Sequence, residues 1–216
     1  MISLKSFAFN PYQVNTYLLY DETGECLVID PGCYFDKETD TLRLFIERQN
    51  LKPVRIMNTH SHFDHTIGNR FVSELYRVGI WLHEADIELY GKSSDSAKIF
   101  GLSVEPQPDP EGTIADNEII RFGNSEIRAI HAPGHSEGSL LYYSEVQKFV
   151  ICGDVLFSGS IGRTDLPGGN METLLRTINT KLLVMDDETT VYCGHGPHTN
   201  IGMERRTNPF LDGSYL

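Results

Sequence analysis

The stretch THSHFDH, residues 59 to 65, sets three histidines and one aspartate within seven positions. Both side-chain types bind either protons or metals. Three further stretches each end an apolar run and place such a side chain in a glycine-rich loop: APGHSEGS with His135, VICGDVLF with Asp154 and VYCGHGPH with His195. Together they offer His60, His62, Asp64, His65, His135, Asp154 and His195. Five imidazoles and two carboxylates suit zinc first, with iron or manganese as alternatives, and suit calcium or magnesium poorly. A catalytic zinc typically takes three protein ligands and keeps one position open. Seven candidates are too many for one such ion and fit two if one carboxylate bridges. Within the opening stretch, His60 and His62 can face one ion, Asp64 and His65 the other.

Side chains so far apart in the chain meet only if a framework delivers them. The first third reads as strands over 2–8, 14–20 and 25–30, divided by the turn signals NPYQ and DETG. Leu42, Phe45 and Ile46 at helical spacing predict a helix over about 36–50. VRIMNTH is a short strand running into the first motif, followed by a helix over 66–78 and a strand at GIWLH. Residues 91–113 lose periodicity and collect Pro, Gly and Ser, which suits a flap over a site or a mobile connector. The second half repeats the pattern, with strands near 117–122, 125–131, 139–144 and 148–153, a helix near 171–183 and a strand near 189–193. Two β-rich halves flanked by helices imply two packed sheets with helices outside, and ligands on strand-end loops can converge at one rim.

Composition narrows the function class. A chain of 216 residues has room for a real core, and 40% apolar against 22% charged residues is an ordinary globular balance. The net charge of −12, with no Lys/Arg run, argues against nucleic acid as a partner. No apolar run is long enough to span a membrane, and the N-terminus lacks a signal-peptide core, so a cytoplasmic protein is expected. Cys26, Cys33, Cys152 and Cys193 form no C-x-x-C pair and read as buried free thiols.

THSHFDH followed in order by APGHSEGS, GD and GHG resembles the metallo-β-lactamase superfamily, whose motif is H-x-H-x-D-H. GSIGRTDLPGG (159–169) and GMERRTNPFL (202–211) resemble its glyoxalase II and persulfide dioxygenase branch, especially the short glyoxalase II-like members. The resemblance implies a four-layer αββα sandwich over 1–216 without the C-terminal helical domain that grips glutathione. It implies His60, His62 and His135 on one metal, Asp64, His65 and His195 on the other, and Asp154 bridging. It implies a hydrolase for a small-molecule thioester such as S-D-lactoylglutathione. There a metal-bound hydroxide attacks the acyl carbon, one ion polarises the carbonyl, and Asp64 also orients the nucleophile. The branch's mononuclear iron persulfide dioxygenases are the alternative, with iron on His60 or its equivalent, His135 and Asp154; lactonase-type hydrolysis is the third. The family's glutathione-contacting tyrosine after the last histidine is replaced by Gly196 and Pro197, which leaves glutathione recognition to other parts of the chain.

Around these seven residues, Asp30 in VIDPG resembles the family's buried strand-end aspartate, a candidate to orient a ligand, or else a turn residue. His83 and His131 read as structural and His198 as a surface residue. Cys152 and Cys193 read as packing beneath the site, and Arg163 with Asp165 as a pair locking the loop after Asp154. Phe63, Phe157 and Ile161 are candidates for an apolar wall.

Overall fold

The computed structural model describes residues 1–211. Its first sheet runs in the order β1 (Ser3–Phe9), β2 (Val14–Tyr20), β3 (Glu25–Ile29), β4 (Lys52–Met57), β5 (Ile80–Leu82) and β6 (Gly112–Thr113). β1 to β3 form an antiparallel meander; β3 to β6 are parallel, which requires crossovers. α1 (Asp36–Arg48) supplies the first, burying Leu42 and Ile46 one helical turn apart, with Asp36 and Glu38 in its first turn and Arg48 in its last to match the helix dipole.

The second sheet contains β7 (Ile119–Phe122), β8 (Ser125–His131), β9 (Leu140–Ser144), β10 (Phe149–Gly153), β13 (Thr190–Cys193) and β14 (Thr199–Asn200), in the order β14-β13-β10-β9-β8-β7. A small hairpin, β11 (Leu156–Phe157) with β12 (Ser160–Ile161), follows β10.

Alternation along the strands sorts the core into three bands. Tyr17, Leu19, Leu27 and Ile29 point inward against Ile127, Ala129, Tyr142 and Ile151 of the other sheet. Their neighbours Leu18 and Val28 point outward beneath α1 and Val72 of α3 (Asn69–Tyr76). Leu141, Val150 and Val191 face outward beneath Leu174 of α6 (Met171–Thr177) and Ile201 of α7 (Ile201–Thr207). The period-2 pattern therefore builds helix, sheet, sheet, helix, the expected αββα layering.

Several elements depart from expectation. The helix expected over 66–78 is two: α2 (Phe63–Thr66) begins earlier and contains Asp64 and His65, and α3 follows after a break. Gly68 makes the break because its backbone lies against Pro31 and Cys33; a Cβ there would come to 2.6 Å of both. The segment 91–113 is not all loop. α4 (Ile87–Gly91) runs into it and α5 (Ser93–Ile99) lies within it, burying Ser93, Ser94 and Ala97, too small an apolar set to give a helical period. The helix expected to reach 183 ends at Thr177 and widens into a π turn over Ile178–Leu182. The β11–β12 hairpin, β14 and α7 carried no signal that was read.

Candidate metal centre

Four strand ends converge at one rim. β4 leads into His60 and His62; β8, β10 and β13 lead into His135, Asp154 and His195. Asp64 and His65 sit on α2 immediately after the first loop. That loop is anchored from both sides: Asn58 donates to the His65 carbonyl (3.1 Å), and the Asn58 carbonyl accepts from Tyr142 Oη in the opposite sheet (2.7 Å). Gly194 is required beside His195, because a Cβ there would overlap Asp154 Oδ1.

All seven predicted side chains meet. The ligand atoms of His60, His62 and His135 lie within 4.8 Å of one another, as do those of Asp64, His65 and His195. A third trio, His60, His65 and Asp154, joins the two. Asp154 Oδ1 is 3.4 Å from His65 Nε2, and Oδ2 is 3.7 Å from His135 Nε2 and 3.4 Å from His195 Nε2. Asp64 Oδ2 stands 3.4 Å from His195 Nε2.

The outer nitrogens fix the rings. His135 Nδ1 donates to the Arg163 carbonyl (2.8 Å), and His195 Nδ1 to the Tyr12 carbonyl (2.8 Å). His65 Nδ1 faces Asp30 Oδ2 at 3.0 Å. Thr59 Oγ1 donates to Asp30 Oδ2 (2.6 Å), so it accepts from His60 Nδ1 at 3.1 Å. With each Nδ1 holding its proton, the neutral rings carry lone pairs on Nε2. Those lone pairs face one another: His60 to His135 at 3.2 Å, His65 to His195 at 3.3 Å. His62 Nε2 and Asp154 Oδ1 are buried without a hydrogen-bond partner. Opposed lone pairs and orphaned acceptors are unfavourable unless positive charge lies among them, which is the environment a cation would complete.

The local field also calls for positive charge beside the carboxylates, which protons on His65 and His195 supply where no cation does. Burial opposes charge on His65, but Asp154, Asp64 and Asp30 outweigh it and raise its pKa well above the ordinary value. Burial likewise opposes charge on His195, yet its hydrogen bonds to the Asp154 and Asp64 carboxylates hold it at about 9. Burial, then the neighbouring imidazoles, push His60 well down; burial and His135 lower His62 to about 3. Burial would raise Asp154, but His65 and His195 hold it well below the carboxylate range.

A cavity of about 470 Å³ opens onto His62, Asp64, His135, Asp154 and His195. Its far wall is apolar: Tyr12, Phe63, Leu89, Ile99, Phe100, Leu166 and Pro167. Tyr12, Phe63 and Phe100 form a ring cluster with centroids 5.1 to 6.2 Å apart. α5 thus brings Ser96 and Ile99 of the 91–113 segment to the site. Of the expected wall residues only Phe63 lines this cavity. Phe157 reaches the rim of His195 (6.2 Å between rings), and Ile161 is buried in the core beneath α6, because the β11–β12 hairpin turns it inward.

Asp30 is fully buried and accepts from Thr59 N (2.7 Å) as well as Thr59 Oγ1 and His65, so it orients a ring. His83 and His131 stack at 4.0 Å, and His198 is exposed. Cys152 and Cys193 are buried, and Arg163 pairs with Asp165 through two 2.7 Å bonds. Sequence reading missed Tyr12 and Arg163 as ring anchors because their carbonyls do the work, and a carbonyl has no residue-type signature. It also missed Asn10, whose side-chain amide donates to the carbonyls of Gly32 (2.9 Å) and Asp64 (3.0 Å) within the turn read only as NPYQ. Asp86, three residues after His83, likewise carries no motif of its own.

Comparison with known proteins agrees with this arrangement. The family model described as the metallo-beta-lactamase superfamily matches residues 9–195. The chain is 35% identical over 208 residues to the hydroxyacylglutathione hydrolase GloC of Haemophilus influenzae, covering 93% of this chain and 94% of that one. Among solved structures it is similar to the BLEG-1 B3 metallo-beta-lactamase, with a TM-score of 0.89 and 34% identity over 98% of this chain and 100% of that one. It is similar also to TTHA1623 in a di-iron-bound form, with a TM-score of 0.87 and 35% identity over 96% of this chain and 100% of that one. No helix among the described residues is long and apolar enough to cross a membrane. Fold, convergence of the motifs and full-length similarity give one conclusion: the chain belongs to the metallo-β-lactamase superfamily of metallo-hydrolases.

Proposed function

We propose that this chain is a dinuclear metal-dependent hydrolase that cleaves acyl thioesters of the S-D-lactoylglutathione type. The observation that carries the reading is the Asp154 carboxylate, set between the His60–His62–His135 and Asp64–His65–His195 trios, with one oxygen toward His65 and the other toward His135 and His195. A mononuclear centre with three protein ligands needs no such bridge and leaves four of the seven groups unused. His60, His62 and His135 would hold one ion, Asp64, His65 and His195 the other, with zinc or iron suited to the donors. Bound there, two ions supply a hydroxide at neutral pH and a Lewis acid for the carbonyl.

The remaining work belongs to the chain. Asp30, Thr59, Tyr12 and Arg163 fix the imidazoles so that their lone pairs converge. Asp64 faces the cavity beside His195 and can accept a proton from the attacking oxygen, orienting it toward the substrate. The Tyr12–Phe63–Phe100 cluster gives the cavity an apolar surface for the substrate beside the ligands. A thioester suits this site because its thiolate leaves with little need of a proton. GloC, similar over nearly its whole length, carries the name of that reaction.

The test is hydrolysis of S-D-lactoylglutathione by purified protein, with metals counted on the same sample. Turnover with close to two ions per chain is expected. A metal-loaded protein that leaves this thioester intact but opens a β-lactam or a lactone overturns the substrate. About one iron per chain with oxygen uptake on a persulfide overturns the reaction class.

A further inference from the structure

Asp86 ends the 3-10 turn Glu84–Asp86 that follows β5, and is 1% exposed. Its Oδ2 accepts from Ser61 N (2.9 Å) and Ser136 Oγ (3.0 Å), and its Oδ1 from Gly138 N (2.7 Å). Ser61 lies between His60 and His62, and Ser136 directly follows His135. One carboxylate therefore fastens together two loops that arise from opposite sheets. The fit is close, since a Cβ on Gly138 would come to 2.6 Å of Asp86 Cγ. Among the described residues no Lys or Arg pairs with Asp86, and these three donors are its hydrogen-bond partners. A buried carboxylate is costly, and an isosteric neutral side chain would avoid that cost unless all three acceptances were needed.

The division of labour around the centre is then uneven in an informative way. Asp30 serves His65 and, through Thr59, His60, while the carbonyls of Tyr12 and Arg163 serve His195 and His135. These hold individual rings, whereas Asp86 ties the His60–His62 loop to the His135 loop. We infer that Asp86 is the positioning residue of the His60–His62–His135 half of the centre, setting the spacing of those three rings through the backbone of Ser61 and the Ser136–Gly138 loop. The inference rests on the dinuclear reading above.

Asp86→Asn keeps the shape and puts an amide N–H against one of the donors, opening the clamp. Zinc affinity is read by competition with a chromophoric chelator. The variant should keep one zinc at wild-type affinity and bind the other about 10- to 100-fold more weakly. In a His195→Ala background, Asp86→Asn should weaken the remaining ion by a similar factor; in a His60→Ala background it should add no loss. Equal weakening of both ions, or wild-type affinity for both, overturns the inference. Wild-type protein that binds no zinc sinks the dinuclear reading instead. Imidazole NMR of the zinc-free protein then decides for Asp86: the substitution should move the His60, His62 and His135 ring resonances and leave those of His65 and His195 in place. Unmoved resonances overturn it. Should Asp86→Asn fail to fold, Ser136→Ala removes one of the three bonds and should act in the same direction, more weakly.

Discussion

Two carboxylates have opposite duties. Asp154 points into the centre, and Asp154→Ala should reduce bound metal from two ions to one or none, read by metal analysis after gel filtration. Wild-type metal content and rate in that variant would sink the bridging assignment. Asp30 works from behind. Its backbone lies in the left-handed region (φ 48°), which Asn tolerates, so Asp30→Asn isolates the charge without straining the turn. Metal affinity at His65 should fall about 10- to 100-fold while far-UV circular dichroism stays unchanged. At this scale the sequence was most readable. Every ligand candidate belongs to a residue type whose chemistry is visible in one letter, while Asp30 is marked by its resemblance to the family's strand-end aspartate and by its pattern reads equally as a turn residue. Tyr12, Arg163 and Asp86 were not legible. The first two act through backbone oxygens, and the third through bonds that exist only once β5 and the His135 loop are neighbours.

Elements were legible where burial imposes a period. β2 and β3 and the Leu42–Ile46 face of α1 lie where the pattern put them, because each presents a continuous apolar face to a partner. α5 was not, because tertiary contact holds it rather than an apolar stripe of its own. Connections between elements also carry stability. Asp21, in the β2–β3 turn, accepts from Thr23 N and Oγ1 in its own turn and from Asn124 N (2.7 Å) and Ser125 Oγ (2.9 Å) in the β7–β8 turn, tying the sheets together at this corner. Burial pushes its pKa up, but these bonds outweigh it and hold it at about 2, against an ordinary 3.8. The carboxylate's contribution is therefore complete above the ordinary value and is lost as pH falls through 2. Asp21→Ala should cost about 1–2 kcal/mol at pH 7 in urea unfolding. Asp21→Asn should flatten the dependence of wild-type stability between about pH 4 and 2. An unchanged acid limb in that variant would show that the corner is held by other bonds.

At the scale of the whole molecule, the centre draws His60, His62, Asp64 and His65 from the first sheet's side and His135, Asp154 and His195 from the second's. Ions held there cross-link the two halves. Free ion at a thousandfold its dissociation constant adds about 4 kcal/mol to the native state. Chelation should then lower the melting temperature by roughly 10 °C for a chain of this size, as read by calorimetry. A melting curve indifferent to chelator would mean that the halves are clamped by their shared apolar core alone. The double sandwich itself was foreseeable from two β-rich stretches with flanking helices.

The meeting of His65 Nε2 with that of a histidine 130 positions later has a consequence for the order of events in maturation. A chain emerging from the ribosome presents THSHFDH long before Asp154 and His195 exist. It can then offer an ion only a partial, open set of donors, free to bind the wrong metal. Selectivity must come late, after the second half has docked. In refolding from urea with zinc present, burial of Trp81 should precede tight zinc uptake, and stopped-flow fluorescence run beside a zinc indicator would resolve the two. Simultaneous phases would instead make the ion a template on which the halves assemble.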